Sequence, residues 1–193
     1  MDSTPFSILI VCTGNLCRSP MAEHLLRRRL EDLHPADRWS VSSAGTHAVE
    51  CKGMDSNASL VLQQQNIVPS KAWSTRLLTP AIVAASDLIL TAEIEHRRKV
   101  VNLDPRALRK VFTLKQFAAL LELSDRVPNS HTTARGPELL SWAAVARENF
   151  QSTGREMDIA DPVGKPIDQF RSCADQLIEC INTIVAPIDT PAN

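Results

Sequence analysis

Apolar residues fall along this chain in short unbroken runs, separated by longer stretches in which they recur every three or four positions. Phe6–Val11 is apolar at all but one position, which predicts a strand buried on both faces. Pro20–Leu33 has helical spacing, with Ser19 placed to cap it and Pro20 at its first position. The same two patterns then alternate. Trp39–Ala44 reads as a strand and Asp55–Gln65 as a helix; Pro80–Ala85 reads as a short helix and Asp87–Thr91 as a strand. Glu93–Val101 is helical, Lys110–Phe112 a brief strand and Leu114–Leu121 a helix, and Glu138–Phe150 and Ile167–Val185 are further helices. Such alternation predicts an α/β fold: a single-domain three-layer sandwich whose four-stranded parallel sheet carries helices on both faces. The domain is expected to span 1–186, with 187–193 as a flexible tail. Residues 124–137, rich in Pro, Asn, Ser, Thr and Gly, read as an exposed loop within a long segment, 122–157, whose role the sequence leaves open.

Composition narrows the function classes. With 44% hydrophobic residues, 22% charged residues and a net charge of -1, the chain has no basic surplus to hold nucleic acid or an anionic membrane. The first apolar run is too short for a secretory signal, and no stretch approaches the ~20 apolar residues of a membrane span. A cytoplasmic protein is expected. The five cysteines, at 12, 17, 51, 173 and 180, are odd in number and contain no CxxC pair, so neither a disulfide framework nor a zinc site is predicted. No metal and no cofactor is expected. Cys173 and Cys180 share a helix face with Phe170, Leu177 and Ile184, which assigns them to the core. Composition does not set the oligomeric state.

The chemistry is concentrated where the first strand ends. There the chain reads Cys12-Thr13-Gly14-Asn15-Leu16-Cys17-Arg18-Ser19-Pro20 and passes directly into a helix. In open parallel sheets ligands sit beyond the carboxyl ends of the strands. The turn Thr13–Cys17 leads into a helix start, so its N–H groups and those of the helix converge on one anion pocket. A thiol at that rim is of the kind whose thiolate is favoured. Arg18 adds a planar fork for two phosphate oxygens. Gly14 is expected to supply a backbone conformation closed to other residues, and Asn15 to lock the turn through its amide.

This run closely resembles the signature loop of the low-molecular-weight protein tyrosine phosphatases, in their bacterial form. The likeness continues in Ser42–Ala48 (SSAGTHA), Met54-Asp55, Ser86–Glu93 (SDLILTAE), Asp104–Leu121 and Asp158–Pro162 (DIADP). It implies a hydrolase that acts on phosphotyrosine in proteins through a phosphocysteine. Cys12 would be the nucleophile, Arg18 would bind the phosphoryl group, and Asp161 would be general acid and then base. Thr13, Gly14, Asn15, Leu16, Cys17 and Ser19 would form the phosphate loop, with Ser19 donating to the Cys12 sulfur and Ser43 supporting the loop. Cys17, on the far side of that loop, would be the redox partner of Cys12. The expected partner is a phosphorylated protein or peptide, with no nucleic acid, membrane or metal involved.

The likeness has gaps at the substrate mouth. An aromatic usually follows the Asp-Pro, but Val163 and Gly164 stand here, and the chain has no tyrosine. Val49 replaces the aromatic of the loop after the second strand, and Cys51 and Gly53 replace a Gly and a Pro. Leu16, Val49 and Val163 are therefore expected to build an aliphatic slot. Three alternatives stay open. An arginine phosphatase of the same family would carry Thr where Leu16 stands. A thioredoxin-coupled arsenate reductase would need redox cysteines in 86–101, and there are none. A phosphocarrier or non-catalytic phosphate-binding protein would have no use for Arg18 and Asp161 together. His47, Glu93 and His96 fall on the carboxyl side of strands, and are expected to be solvated rather than to line the mouth.

Overall fold

The central strand of the sheet is also the first. In the computed structural model, which describes residues 4–33, 38–124, 136–150 and 154–188, β1 (Phe6–Cys12) pairs in parallel with β2 (Trp39–Gly45) and with β3 (Leu88–Thr91). A short β4 (Val111–Thr113) pairs with β3, giving the order β2-β1-β3-β4 in a four-stranded sheet. Every pairing is parallel, so each connection crosses a face of the sheet, and helices fill those crossings. The helices are α1 (Arg18–Leu33), α2 (Ser56–Gln64), α3 (Pro80–Ala85), α4 (Ile94–Leu103), α5 (Leu114–Glu122), α6 (Gly136–Ala146) and α7 (Ile167–Val185).

The period of two along β1 explains the three layers. Ile8 and Ile10 face a core shared with Met21 and Leu26 of α1, Phe117 of α5 and Leu177 of α7. Leu9 and Val11 face the opposite core, with Val83 of α3 and Val100 of α4. Both faces are covered, hence the unbroken apolar run. Cys173 and Cys180 lie in the first core, as expected, and burial pushes their thiols up to about 12 and about 11. Among the described residues no helix is long and apolar enough to cross a membrane.

The chain leaves β1 toward β2 on one side and later returns to β3 on the other. The carboxyl end of β1 is thus the point where the winding reverses, and there the two flanking connections diverge and leave a crevice. Cys12 is the last residue of that strand.

Sequence and structure differ at several boundaries. Ser19 is not a cap: α1 begins at Arg18, and the Ser19 hydroxyl turns inward to the loop. Asp55 does cap α2, accepting from the N–H groups of Asn57 and Ala58. Short 3-10 turns at Pro105–Arg109, Arg147–Asn149 and Arg155–Met157 carry no periodicity long enough to read. Gly136 and Pro137, assigned to a loop, open α6, where Gly136 lies flat against the Phe6 ring with no room for a Cβ. Residues 125–135 of that loop lie outside the described residues. Pro187 and Ile188, assigned to the tail, are buried, because one more turn (Ile188 N–H on Val185 O, 2.8 Å) delivers Ile188 to the core. Residues 189–193 of the expected tail lie outside the described residues.

Candidate active site

Residues 13–17 wrap from the end of β1 to the start of α1, over Cys12. Its sulfur is buried and lies 3.0 Å from Ser19 Oγ. The turn is closed by Asn15, with φ of 55°. This corrects the expectation for Gly14, which does not have a positive φ. Asn is among the few side chains that tolerate the left-handed region, and here its amide repays the strain. Nδ2 donates to Ser19 Oγ (2.9 Å) and to Ser43 Oγ (2.8 Å), and Oδ1 accepts from Arg76 N–H (2.9 Å). A Cβ on Gly14 would meet only the Leu16 side chain, at 3.4 Å.

The glycine that the loop cannot lose is Gly45, opposite Cys12 in the β1–β2 register. A Cβ there would lie 2.6 Å from Thr13 O and 2.8 Å from Asn15 N, both backbone atoms. The N–H groups of Thr46 and His47 bind the carbonyls of Cys12 and Thr13, at 2.9 Å each. The two segments are therefore laced together with no slack. Gly45→Ala is expected to cost about 1–3 kcal/mol through overpacking, with a loss of turnover beyond the loss of stability. Urea midpoints measured beside turnover test this, and an unchanged midpoint would contradict it.

Behind the loop, Ser43, expected to support it, leads into a buried polar chain whose further members, Glu23 and Trp73, sequence reasoning missed. Ser43 Oγ donates to Glu23 Oε2, and Trp73 Nε1 donates to the same oxygen at 3.1 Å. Arg27 pairs with the other oxygen at 2.5 Å. Glu23 is buried and every contact it makes is charge-assisted or strong, which is what keeps a carboxylate inside. The only signal in the sequence was a Glu on the core-facing side of α1, one turn after Arg18. Cys51 has φ of 59°, a position where the family pattern has glycine. Asp55 N–H binds Leu16 O at 3.0 Å and ties α2 to the loop.

Arg18 is 2% exposed and spends its guanidinium on four acceptors. Nη1 donates to Glu93 and to Ile159 O (3.0 Å); Nη2 donates to Asp161 Oδ2 (2.6 Å) and Thr13 Oγ1 (3.3 Å). Burial by itself would lower its pKa; Cys12, Glu93 and Asp161 outweigh that and raise it above the ordinary value. Asp161 is 42% exposed and also accepts from Val163 N–H at 3.1 Å. The structure thus brings Cys12, Arg18, Ser19 and Asp161 to one place from two distant parts of the chain.

Glu93 and His96, expected to be solvated, belong to this cluster, because α4 starts directly above it. His96 is buried, with Nε2 2.8 Å from Thr13 Oγ1. Thr13 Oγ1 also accepts from Arg18, and the other ring nitrogen of His96, Nδ1, is buried without a partner among the described residues. Burial pushes the His96 pKa down. His47 is exposed, as expected. Of the expected slot, Leu16 is half-buried against the core, while Val49 and Val163 are 66% and 50% exposed. Cys17 is buried, and burial first, then the charges of Asp55 and Cys12, push its thiol well above the usual range. Among the described residues no cluster of His, Cys, Asp and Glu has a metal-holding arrangement.

The arrangement is an anion cradle over a sulfur, with a carboxylate at its edge. Comparisons with known proteins agree with that chemistry. The model of the family described as low molecular weight phosphotyrosine protein phosphatase matches residues 7–132. The protein-arginine-phosphatase of Geobacillus stearothermophilus is 30% identical over 186 residues, covering 96% of this chain and 98% of that protein. The low molecular weight protein-tyrosine-phosphatase Etp of Escherichia coli is 36% identical over 119 residues, covering 62% of this chain and 76% of that protein. The solved low molecular weight protein tyrosine phosphatase from T. tengcongensis superposes with a TM-score of 0.70 at 26% identity, covering 94% of this chain and 98% of the other.

Proposed function

The chain belongs to the low molecular weight phosphotyrosine protein phosphatase family, and on that premise we propose that it hydrolyses phosphotyrosine in proteins through a phosphocysteine at Cys12. The observation that carries the reading is a buried sulfur, Cys12, at the start of a loop whose buried arginine, Arg18, meets the carboxylate of Asp161 at 2.6 Å. In the first step the Cys12 sulfur bonds to phosphorus as the phosphorus–oxygen ester bond breaks, and Asp161 gives its proton to the leaving oxygen. Arg18 and the loop N–H groups hold the three equatorial oxygens, whose charge grows in the transition state. In the second step Asp161 takes a proton from water, the water oxygen bonds to phosphorus, and the sulfur leaves. The Ser19 hydroxyl, 3.0 Å from that sulfur, donates to the departing thiolate. Glu93 and Asp161 hold the Arg18 guanidinium in place for the phosphoryl group. The steps draw on no metal or cofactor. A cytoplasmic site of action is part of the same proposal, supported by five unpaired cysteines and a nucleophile that works only when reduced.

A second reading has a specific observation behind it: a relative that matches this chain nearly end to end, the Geobacillus stearothermophilus protein, is an arginine phosphatase. Leu16 favours tyrosine. A polar residue at that place orients water toward the bound phosphoryl group, whereas an aliphatic one walls off the polar guanidinium of phosphoarginine. Matched phosphotyrosine and phosphoarginine peptides are expected to differ by ~tenfold or more in kcat/KM, in favour of phosphotyrosine. With Val49 and Val163 in place of aromatics, KM for the phosphotyrosine peptide is expected to be high. A preference for phosphoarginine would reverse the assignment.

Cys17 is proposed as the thiol that rescues Cys12 from peroxide. Peroxide oxidises the Cys12 thiolate to a sulfenic acid; the Cys17 sulfur then displaces water from it and a disulfide forms. Because the Cys17 thiol is held protonated, this closure is expected to be slow and to quicken as pH rises. Cys17→Ser is expected to stay active but to lose the recovery that a thiol reductant gives after peroxide. Recovery equal to wild type, or mapping of Cys12 to another cysteine, would remove the proposal.

A further inference from the structure

One cavity of about 410 Å³ has a lining that the phosphatase chemistry does not use. It opens between α4, α5 and the 3-10 turn that precedes Asp158. Ile94, Val101, Leu108 and Phe150 give it apolar walls, and Arg97, Arg98 and Gln116 give it polar ones. Gln116 is 8% exposed, and its side-chain oxygen Oε1 finds no donor among the described residues. A buried amide oxygen left unpaired is uncommon, because its desolvation goes uncompensated. It is an acceptor for which the described residues provide no N–H or O–H.

The charge of the lining is unbalanced as well. Arg98 is held by Glu95 at 3.0 Å on the solvent side. Arg97 is half-buried and has no ion-pair partner among the described residues, and burial pushes its guanidinium down. Behind it, Arg147 is committed to the carbonyls of Leu108 (2.8 Å) and Val111 (2.6 Å) and lies 3.5 Å over the Phe112 ring. Burial, and then the charge of Arg97, push Arg147 down to about 10. Arg97 and Arg147 are both half-buried and their like charges oppose each other, a repulsion that a bound anion relieves.

We propose that this cavity is a second ligand site, which takes a small organic carboxylate with an apolar body and an N–H donor. The carboxylate binds Arg97, the N–H completes Gln116 Oε1, and the body fills the space against Val101, Leu108 and Phe150. A carboxylate suits the site better than a phosphate ester. One guanidinium without an ion-pair partner among the described residues matches a monoanion in a two-pronged contact, whereas a phosphate needs several converging N–H donors, as in the Cys12 loop. The Ile94 N–H, at the start of α4, is already taken by Asp158 at 2.7 Å.

The place of the cavity couples it to the phosphate loop. Ile94 and Met157 both line it. Ile94 directly follows Glu93, and Met157 lies two residues before Ile159; Glu93 and the Ile159 carbonyl both hold Arg18. A ligand seated between those segments shifts the cradle of Arg18. This coupling, unlike the binding itself, rests on the function proposed above.

The test uses N-acetyl-L-phenylalanine, which has a carboxylate, one amide N–H and an apolar ring, titrated calorimetrically into the full chain with inorganic phosphate saturating the Cys12 loop. Binding is expected to persist under phosphate, and to weaken ~tenfold or more in Arg97→Gln, in Gln116→Leu, and with the carboxamide analogue of the probe. Leu108→Trp, which fills the cavity, is expected to abolish it. Without the probe, turnover of an aryl phosphate by Arg97→Gln and Gln116→Leu is expected to stay within ~twofold of wild type, since neither residue touches the loop. With saturating probe, KM or kcat of the wild type is expected to move while those of Leu108→Trp do not. Absence of binding up to about 10 mM, equal binding by Arg97→Gln, or displacement by phosphate would overturn the site. Binding that leaves kcat and KM unchanged would overturn the coupling. A chain that binds the probe but releases no phosphate from any ester would refute the phosphatase reading and leave the site standing.

Discussion

Cys12→Ser is expected to reduce turnover of an aryl phosphate by ~10⁴-fold or more, while the protein still binds inorganic phosphate with little loss. The reasons are separable. A serine hydroxyl at this place has no base beside it: the sulfur's polar neighbour is the Ser19 hydroxyl at 3.0 Å, which donates but does not abstract. Loss of the nucleophile in a site that works as a unit typically costs ~10⁶ in kcat, the remainder being held by the electrostatic cradle. That cradle is made of other groups. Arg18 keeps Glu93, Ile159 O, Thr13 and Asp161, and the turn keeps Asn15 in its left-handed conformation through Ser19, Ser43 and Arg76. The substitution is nearly isosteric, so the fold should hold. Turnover within tenfold of wild type would exclude Cys12 as the nucleophile. Loss of phosphate binding along with turnover would locate the anion site elsewhere.

Asp161→Asn is the second large effect. Protonation of the leaving oxygen matters in proportion to how poor a leaving group it is. The variant is therefore expected to lose ~10²–10⁴ in rate on phosphotyrosine and much less on nitrophenyl phosphate. A plot of log kcat against leaving-group pKa should steepen, because charge then stays on the oxygen in the transition state. Asparagine also breaks the ion pair with Arg18, but Asp161 is 42% exposed, so screening keeps that contact to at most about 1 kcal/mol. The thermal midpoint should hardly move, which separates a chemical role from a structural one. An unchanged leaving-group dependence would exclude Asp161 as the acid.

Much of the site was legible because it is local. Strand end, turn and helix start are consecutive in Val11–Pro20, so the positions of Cys12, Arg18 and Ser19 follow from one short run whose geometry its own residues impose. The layers were legible for a similar reason: a strand buried on both faces reads as an apolar run wherever it lies in the sheet. Errors arose where two residue types serve one purpose. Glycine is the usual supplier of positive φ, yet Asn15 takes the left-handed position and Gly14 does not, because the Asn15 amide has three partners that hold it there. Gly45 matters instead through the approach of the Thr13 carbonyl, a contact across 32 residues that no local pattern records.

The strand–helix alternation, the turn from Cys12 into α1 and the thiol with an arginine six positions on are all written in neighbouring residues. Their surroundings come from packing between distant segments. Glu23, Trp73 and Ser43 meet behind the loop because α1, β2 and the segment before α3 pack there. Glu93 and His96 leave the solvent because α4 begins above Arg18. The cavity beside Arg97 and Gln116 exists because the turns at 147–149 and 155–157 close over α4 and α5. Periodicity reports which face of an element is buried. It does not report which buried polar group finds a partner, because that depends on how elements distant in the chain come to lie side by side.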